Sequence, residues 1–310
     1  MKNILIVGGS GFIGSNLIKT LKNKKNKRIF STIYKKNKFK KFSGVQYFKG
    51  NLLNFNFCKK ITKNIDEVYM CAAFTSGAKV IEKNPLKFVH DNTIMNLNIL
   101  KASADNKIKK FIFISSSIVY PNSKKEMKEN DVNYSFFNKY YNASWMKLYS
   151  ERVCEMYKNK FKVLIVRPAN IYGPYDKFDE EKSKVIPSLI RKFENSKTVE
   201  VWGNGKEIKD FIFIDDFINI LLILKNKFDN FSIINIASGK KRTISDLVKI
   251  LNLNYPHKKI NFVNNKLTMI PVRKINISKM KSLSKYNFKY NLEKGIKKTI
   301  QWYKENLKKK

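Results

Sequence analysis

Short apolar runs alternate with polar, helix-compatible stretches through the first half of the chain. The runs at residues 4–7, 28–34, 45–48, 66–73, 111–114 and 161–167 have strand length and end in glycine, proline, serine or alanine, or in a polar stretch. Runs that are largely apolar throughout, rather than at alternate positions, predict strands buried on both faces of a sheet. Between them, residues 86–106 carry Phe88, Ile94, Leu97, Leu100 and Ala104 at helical period, and residues 145–157 read as another helix. Strand and helix alternating in this order predict an α/β fold with a doubly wound parallel sheet. Residues 121–138 are polar and read as loop, and beyond Pro168 the pattern loosens. Residues 211–214 and 233–236 read as further strands, and Asp215-Asp216 as the cap of an apolar helix over 217–225. An amphipathic helix over 292–307 closes the chain.

The sharpest local signal is the first turn. A strand ends at Val7 and a helix opens near Gly14, with Gly8, Gly11 and Gly14 spaced G-x-x-G-x-x-G between them. In a dinucleotide site the first glycine permits the tight turn, the second lets the backbone approach a pyrophosphate, and the third lets the helix pack closely. The helix start then presents free N–H groups and the positive dipole end to the phosphates. Further along, Gly50-Asn51-Leu52 follows the third strand and reads as an adenine-side loop, and the small Ala72-Ala73 closes the fourth strand where a cofactor backbone would pass. NAD-preferring sites place an acid at the end of the second strand to bind the ribose 2′-hydroxyl. Here that strand ends in Ile33-Tyr34 and runs into Lys35, Lys36 and Lys38, which tilts the expectation towards NADP over NAD.

Composition changes this picture little. The chain of 310 residues has a formal net charge of +39, a balance that ordinarily suggests nucleic acid or an anionic membrane. Only six of its 63 basic residues are arginine, however, and specific nucleic-acid readers lean on the arginine fork. The lysines read as a solvated surface that favours small anionic substrates, and nucleic acid is not the expected partner. Cys58, Cys71 and Cys154 form neither a metal pattern nor a disulfide framework, and His90 and His257 are isolated. No run approaches the roughly 20 apolar residues of a membrane span, and the apolar stretch at 4–7 is too short for a signal peptide. A cytoplasmic protein is expected.

Five segments carry a family resemblance: Gly8 to Gly14; Ser115 to Pro121; Arg167 to Pro174; Trp202 to Gly205 with Lys209 to Asp216; and Pro271-Val272-Arg273 with Ser278-Lys279. In this order and spacing the chain resembles the extended short-chain dehydrogenase/reductase family, in its group of NAD(P)-dependent sugar-nucleotide epimerases, dehydratases and reductases. The resemblance implies a Rossmann domain formed by 1–168 with about 206–236, and a smaller sugar-nucleotide lobe formed by 169–205 and 237–310. It implies a homodimer built through helices near 87–106 and 144–158. It implies cofactor contacts from Gly8, Gly11, Phe12, Ile13 and Gly14, from Asn51, Leu52, Ala72 and Ala73, and from Asn92 and Lys147. Ser117, Asn170, Lys209 and Arg273 stand at positions that contact the nucleotide sugar in the family. Lys209 replaces the usual arginine there, keeping the charge and losing the fork.

The family moves a hydride between nicotinamide and a sugar carbon while a tyrosine exchanges a hydroxyl proton, with a lysine four residues later on the same helix face. Ser116 matches the serine or threonine that bonds the sugar oxygen, and Lys147 matches the lysine. The tyrosine position is then Ala143. Three readings stay open: Tyr141 or Tyr140 reaches the site from an altered helix start; Ser116, Ser117 or a water takes the role; or the protein binds without turnover. The expected activity is that of a sugar-nucleotide oxidoreductase working at the hexose ring, as a 4-keto reductase or epimerase. An NAD-recycling 4-epimerase is the near alternative, and a nucleotide-sensing binding protein the alternative of another class.

Overall fold

The computed structural model describes residues 1–34, 39–75, 84, 86, 88–264 and 270–307. Lys35, Lys36 and Lys38 lie outside them. The first half contains β1 (Lys2–Val7), α1 (Phe12–Leu21), β2 (Lys27–Ile33), β3 (Val45–Lys49), α2 (Phe55–Thr62), β4 (Glu67–Met70), α3 (Val89–Asp105), β5 (Lys110–Ile114), β6 (Glu126–Met127) and α4 (Tyr141–Met156). The second contains β7 (Lys162–Pro168), β8 (Asn170–Tyr172), α5 (Val185–Asn195), β9 (Thr198–Trp202), β10 (Ile208–Phe213), α6 (Ile214–Leu224), β11 (Phe231–Ile236), β12 (Lys241–Thr243), α7 (Ile244–Asn252), β13 (Lys259–Val263), β14 (Lys274–Ile275), α8 (Ser278–Ser284) and α9 (Leu292–Asn306).

Seven strands form one parallel sheet in the order β3-β2-β1-β4-β5-β7-β11. This is the α/β doubly wound Rossmann arrangement, and its order reverses between β1 and β4. Ligands bind such sheets in the crevice beyond the carboxyl ends of the strands at that reversal. Alternate residues of one strand feed opposite faces. Ile4 and Ile6 join Leu17, Leu21, Phe217 and Leu221 in one apolar cluster, while Leu5 and Val7 join Cys58, Ile61, Ile99 and Leu100 in the other. The continuous apolar runs are thus explained by helices on both sides.

The remaining strands make smaller sheets. β8 and β10 pair in parallel and β12 joins β10 antiparallel; β9 pairs with β13, and β6 with β14. Within residues 206–236, β11 belongs to the large sheet and α6 packs on α1, whereas β10 belongs to the three-stranded sheet.

Three local readings are corrected. Residues 55–62 form a helix that the apolar pattern did not announce; Asn54 caps it by accepting from Phe57 N–H at 3.0 Å. Helix α4 starts at Tyr141, four residues before Trp145. Asp215 and Asp216 lie in the first turn of α6, whose N-cap is Phe213. Asp216 instead accepts from Tyr286 O–H and from the Lys289 and Tyr290 N–H groups at 2.8–3.1 Å, and Asp215 pairs with Lys298 at 3.0 Å.

Candidate active site

A cleft of about 700 Å³ opens at the carboxyl end of the sheet, between the glycine turn and the smaller sheets. On one wall, Gly8 has φ +90° and lies so close to the end of β4 that a Cβ on it would stand 2.7 Å from Ala72 Cα. A Cβ on Gly14 would stand 2.3 Å from the Gly8 carbonyl oxygen. The turn therefore needs glycine at both ends, one for conformation and contact with β4, the other for seating α1 on the loop. Gly9 is equally confined, since its Cβ would overlap the Ser31 hydroxyl, and the motif spacing did not single it out. Gly8 N–H is held by Thr32 Oγ1 at 2.9 Å. The first-turn N–H groups of a helix have no acceptor within it, and Gly11, Phe12 and Ile13 line the cleft at this helix start. This cradle fits a dinucleotide pyrophosphate.

Asn51, Leu52, Ala72 and Ala73 line the same half. Asn92 also borders the cleft, yet its amide is fully used to clamp the segment after β4: it accepts from Phe74 N–H at 2.8 Å and donates to the Phe74 and Phe88 carbonyls at 3.0 and 2.8 Å. It positions the Ala72–Phe74 segment.

Beyond β5, Ser116 and Ser117 reach the cleft, with Ser116 Oγ capping a short 3₁₀ turn by accepting from Ile118 N–H at 3.3 Å. Facing them, Tyr140 at the N-cap of α4, with Ala143 and Lys147 on the helix itself, lines the cleft. Residues seven apart share a helix face because seven steps of 100° nearly close two turns. Tyr141 is one step out of phase. Its ring is half exposed and packs edge-on to Phe136 and Trp145, outside the cleft, so of the two tyrosines the sequence offered, Tyr140 lines the cleft and Tyr141 does not. The Tyr140 hydroxyl has no hydrogen bond among the described residues, and burial pushes its phenol up to about 12. Lys147 Nζ donates to the Ile114 carbonyl at 3.0 Å, and burial brings its pKa down to about 8 against the opposing pull of Glu151.

Helix α4 is fixed from beneath. Glu151 and Arg167, each 1 % exposed, pair through Nε–Oε contacts of 3.1 and 3.2 Å and an Nη2–Oε2 contact of 2.6 Å. Ser115 Oγ donates to the same carboxylate. Arg167 Nη1 donates to the Tyr120 hydroxyl at 3.1 Å, and Tyr120 donates to Asn235 Oδ1 at 2.6 Å. One buried chain thus joins β5, α4, β7 and β11.

On the far wall stand Asn170, Lys209 and Arg273. Asn170 donates to the Asp210 carbonyl at 3.0 Å. Lys209 donates to the Ile270 carbonyl, and burial brings its pKa down to about 8. Arg273 is 3 % exposed and spends both Nη groups on the Pro121 and Tyr120 carbonyls, at 2.9 and 3.2 Å. These two bonds use two of its five N–H groups and fix the guanidinium against the backbone, and its buried Nε has no partner. Asp176, Lys177, Lys184 and Glu207 complete this half, and motif reading singled out none of them.

A glycine cradle at the strand-order reversal, a lysine beneath it and cations opposite define a dinucleotide-dependent oxidoreductase of the class that works on sugar nucleotides. Residues 4–237 match the model of the NAD dependent epimerase/dehydratase family, and the chain belongs to that family. It is 29% identical to GDP-L-colitose synthase of Yersinia pseudotuberculosis over 315 residues, covering 97% of each chain. It is 29% identical to GDP-L-fucose synthase of Escherichia coli (strain K12) over 266 residues, covering 79% of this chain and 82% of that one. UDP-glucose 4-epimerase of Thermotoga maritima superposes with a TM-score of 0.86 at 22% identity, covering 98% of this chain and 99% of that one.

Proposed function

We propose that the protein reduces the 4-keto group of a nucleotide-activated hexose, with epimerisation of the ring as an accompanying or alternative outcome. The observation that carries this reading is the shared face of Tyr140, Ala143 and Lys147 in the cleft, one wall of which is the glycine cradle. A bound nicotinamide supplies hydride chemistry. The chain's own residues supply the rest. Gly8 and Gly11 with the helix start at Phe12 and Ile13 hold the pyrophosphate, Gly14 seats α1 on the loop outside the cleft lining, and Lys147 fixes the ribose side from α4. Ser116 and Ser117 bond the sugar oxygen.

Tyr140 is the proton donor in this reading. A phenol pushed up to about 12 stays protonated at neutral pH, so it is in the form that can donate to a forming alkoxide, the stronger base. Asn170, Lys209 and Arg273 take the diphosphate. A GDP-linked sugar is supported by the names of the two curated relatives, and NADP is preferred over NAD because no acid follows Ile33.

The half-exposed stripe Tyr141, Trp145 and Tyr149 on α4 supports a homodimer through α3 and α4. Three free cysteines support a reducing compartment, the cytoplasm, and no helix among the described residues is long and apolar enough to cross a membrane.

The test is to release and identify the co-purified dinucleotide by mass spectrometry, then follow NADPH and NADH consumption with 4-keto GDP- and UDP-hexoses. Oxidation of the dinucleotide by a 4-keto sugar nucleotide is the expected result. A full panel that consumes none, while a 4-hydroxyl sugar nucleotide is epimerised, replaces reduction with the recycling epimerase.

A further inference from the structure

Buried polar atoms without partners are rare in folded proteins, and each asks for an explanation. Among the described residues, several of those that exist line this one cleft, including Asp176 Oδ2, Glu207 Oε2 and Arg273 Nε. Asp176 is the most telling. It is 8 % exposed; its Oδ1 accepts from Lys177 N–H at 2.8 Å, and its Oδ2 has no hydrogen bond. Burial pushes its carboxyl up despite the nearby Lys184 and Lys177.

The segment bearing Asp176 is tied to the dinucleotide side at both of its ends. Asn16 Nδ2 on α1 donates to the Pro174 carbonyl at 2.8 Å, and Lys177 Nζ donates to the Thr75 carbonyl and hydroxyl at 3.2 and 3.1 Å. Asp176 is therefore held over the seam between the glycine turn and the substrate wall. An anionic ligand group would be repelled there, whereas a neutral donor would satisfy Oδ2. The ligands that fit this cleft carry such donors on their sugar rings.

We propose that Asp176 is a ligand-binding residue that accepts a hydrogen bond from a ring hydroxyl of the bound ligand, either a ribose of the dinucleotide or the hexose of the sugar nucleotide. This rests on the function proposed above. It assigns a recognition role to a side chain that lies outside the glycine turn and outside the residues of α4.

Three proteins test it: wild type, Asp176→Asn and Asp176→Ala. Dissociation constants are measured for NADPH and NADH by nicotinamide fluorescence, and for GDP-mannose and UDP-glucose by calorimetry. A hydrogen bond to a carboxylate predicts a loss of about 10- to 100-fold in Asp176→Ala for one ligand class. Loss confined to the dinucleotides identifies the ribose; loss confined to the nucleotide sugars identifies the hexose. The ligand-free melting temperature gives the second readout. Asp176→Asn keeps the acceptor for Lys177 N–H and removes only the buried acid, so it leaves the free protein at least as stable as wild type. Wild-type affinities in both variants, or a lower melting temperature in Asp176→Asn with unchanged affinities, overturn the proposal. A wild type that binds neither ligand class overturns the proposed function itself.

Discussion

Tyr140→Phe removes one oxygen and nothing else. The hydroxyl has no hydrogen bond among the described residues, so its loss should change folding stability by less than about 0.5 kcal/mol. Its effect on turnover should be large. A positioned acid contributes about 10²- to 10⁴-fold, equivalent to roughly 3–5 kcal/mol of barrier. Stability and rate thus separate cleanly in one variant. Tyr141→Phe is the internal control, because that ring is half exposed outside the cleft and keeps its edge contacts with Phe136 and Trp145. It should retain at least half of the wild-type kcat. A rescue sharpens the test: Ala143→Tyr in the Tyr140→Phe background sets a phenol one helical turn before Lys147, about 6 Å along the axis. Recovery of tenfold or more is expected. The assay is steady-state oxidation of NADPH by a 4-keto sugar nucleotide, with urea unfolding of each variant alongside. Wild-type kcat in Tyr140→Phe, or a larger loss in Tyr141→Phe, would refute the assignment.

Other outcomes follow from the same geometry. Gly14→Ala drives a methyl to 2.3 Å from the Gly8 carbonyl, so dinucleotide affinity should fall more than about tenfold and stability by about 1–3 kcal/mol, read by fluorescence titration and by urea midpoint. Arg167→Met strands the buried Glu151 carboxylate and should cost about 3–5 kcal/mol, while Arg167→Met with Glu151→Leu should recover most of it; a double variant no better than the single would sink the ion-pair account. Lys147 and Lys209 titrate near pH 8 when folded and near the ordinary 10.5 when unfolded. Between those values the unfolded chain holds protons that the folded chain has shed, so their contribution to stability rises with pH from about 8 to 10.5. Denaturant curves at pH 7.5 and 9.5 should show a steeper rise for wild type than for Lys209→Met.

The large sheet was legible because its central strands β1, β4, β5 and β7 are buried on both faces, and that environment writes a nearly unbroken apolar run. The glycine turn was legible because backbone contacts at Gly8 and Gly14 exclude every side chain. The smaller sheets were not. Strand β6 pairs with β14 across 148 positions, at Glu126 and Lys274, and nothing in either short segment encodes the partner. The choice between Tyr140 and Tyr141 hinged on where α4 begins, and one residue of phase turns a side chain by 100°. Arg273 stands at a position implied to contact the nucleotide sugar, but its burial against the Tyr120 and Pro121 carbonyls is a tertiary fact. Asp176 sits in a polar stretch where only burial distinguishes it from a solvated loop aspartate.

The buried Glu151–Arg167 chain has a bearing on how such a site can change over generations. It sets the height and rotation of α4 from below, through contacts that do not involve residues 140 or 143. Lys147, one turn from Glu151, therefore keeps its place whatever side chain occupies the turn above. A chain with this keel can carry alanine at 143 without refitting the helix that bears Lys147. Substitution at the reacting face is thereby uncoupled from the framework that aims it.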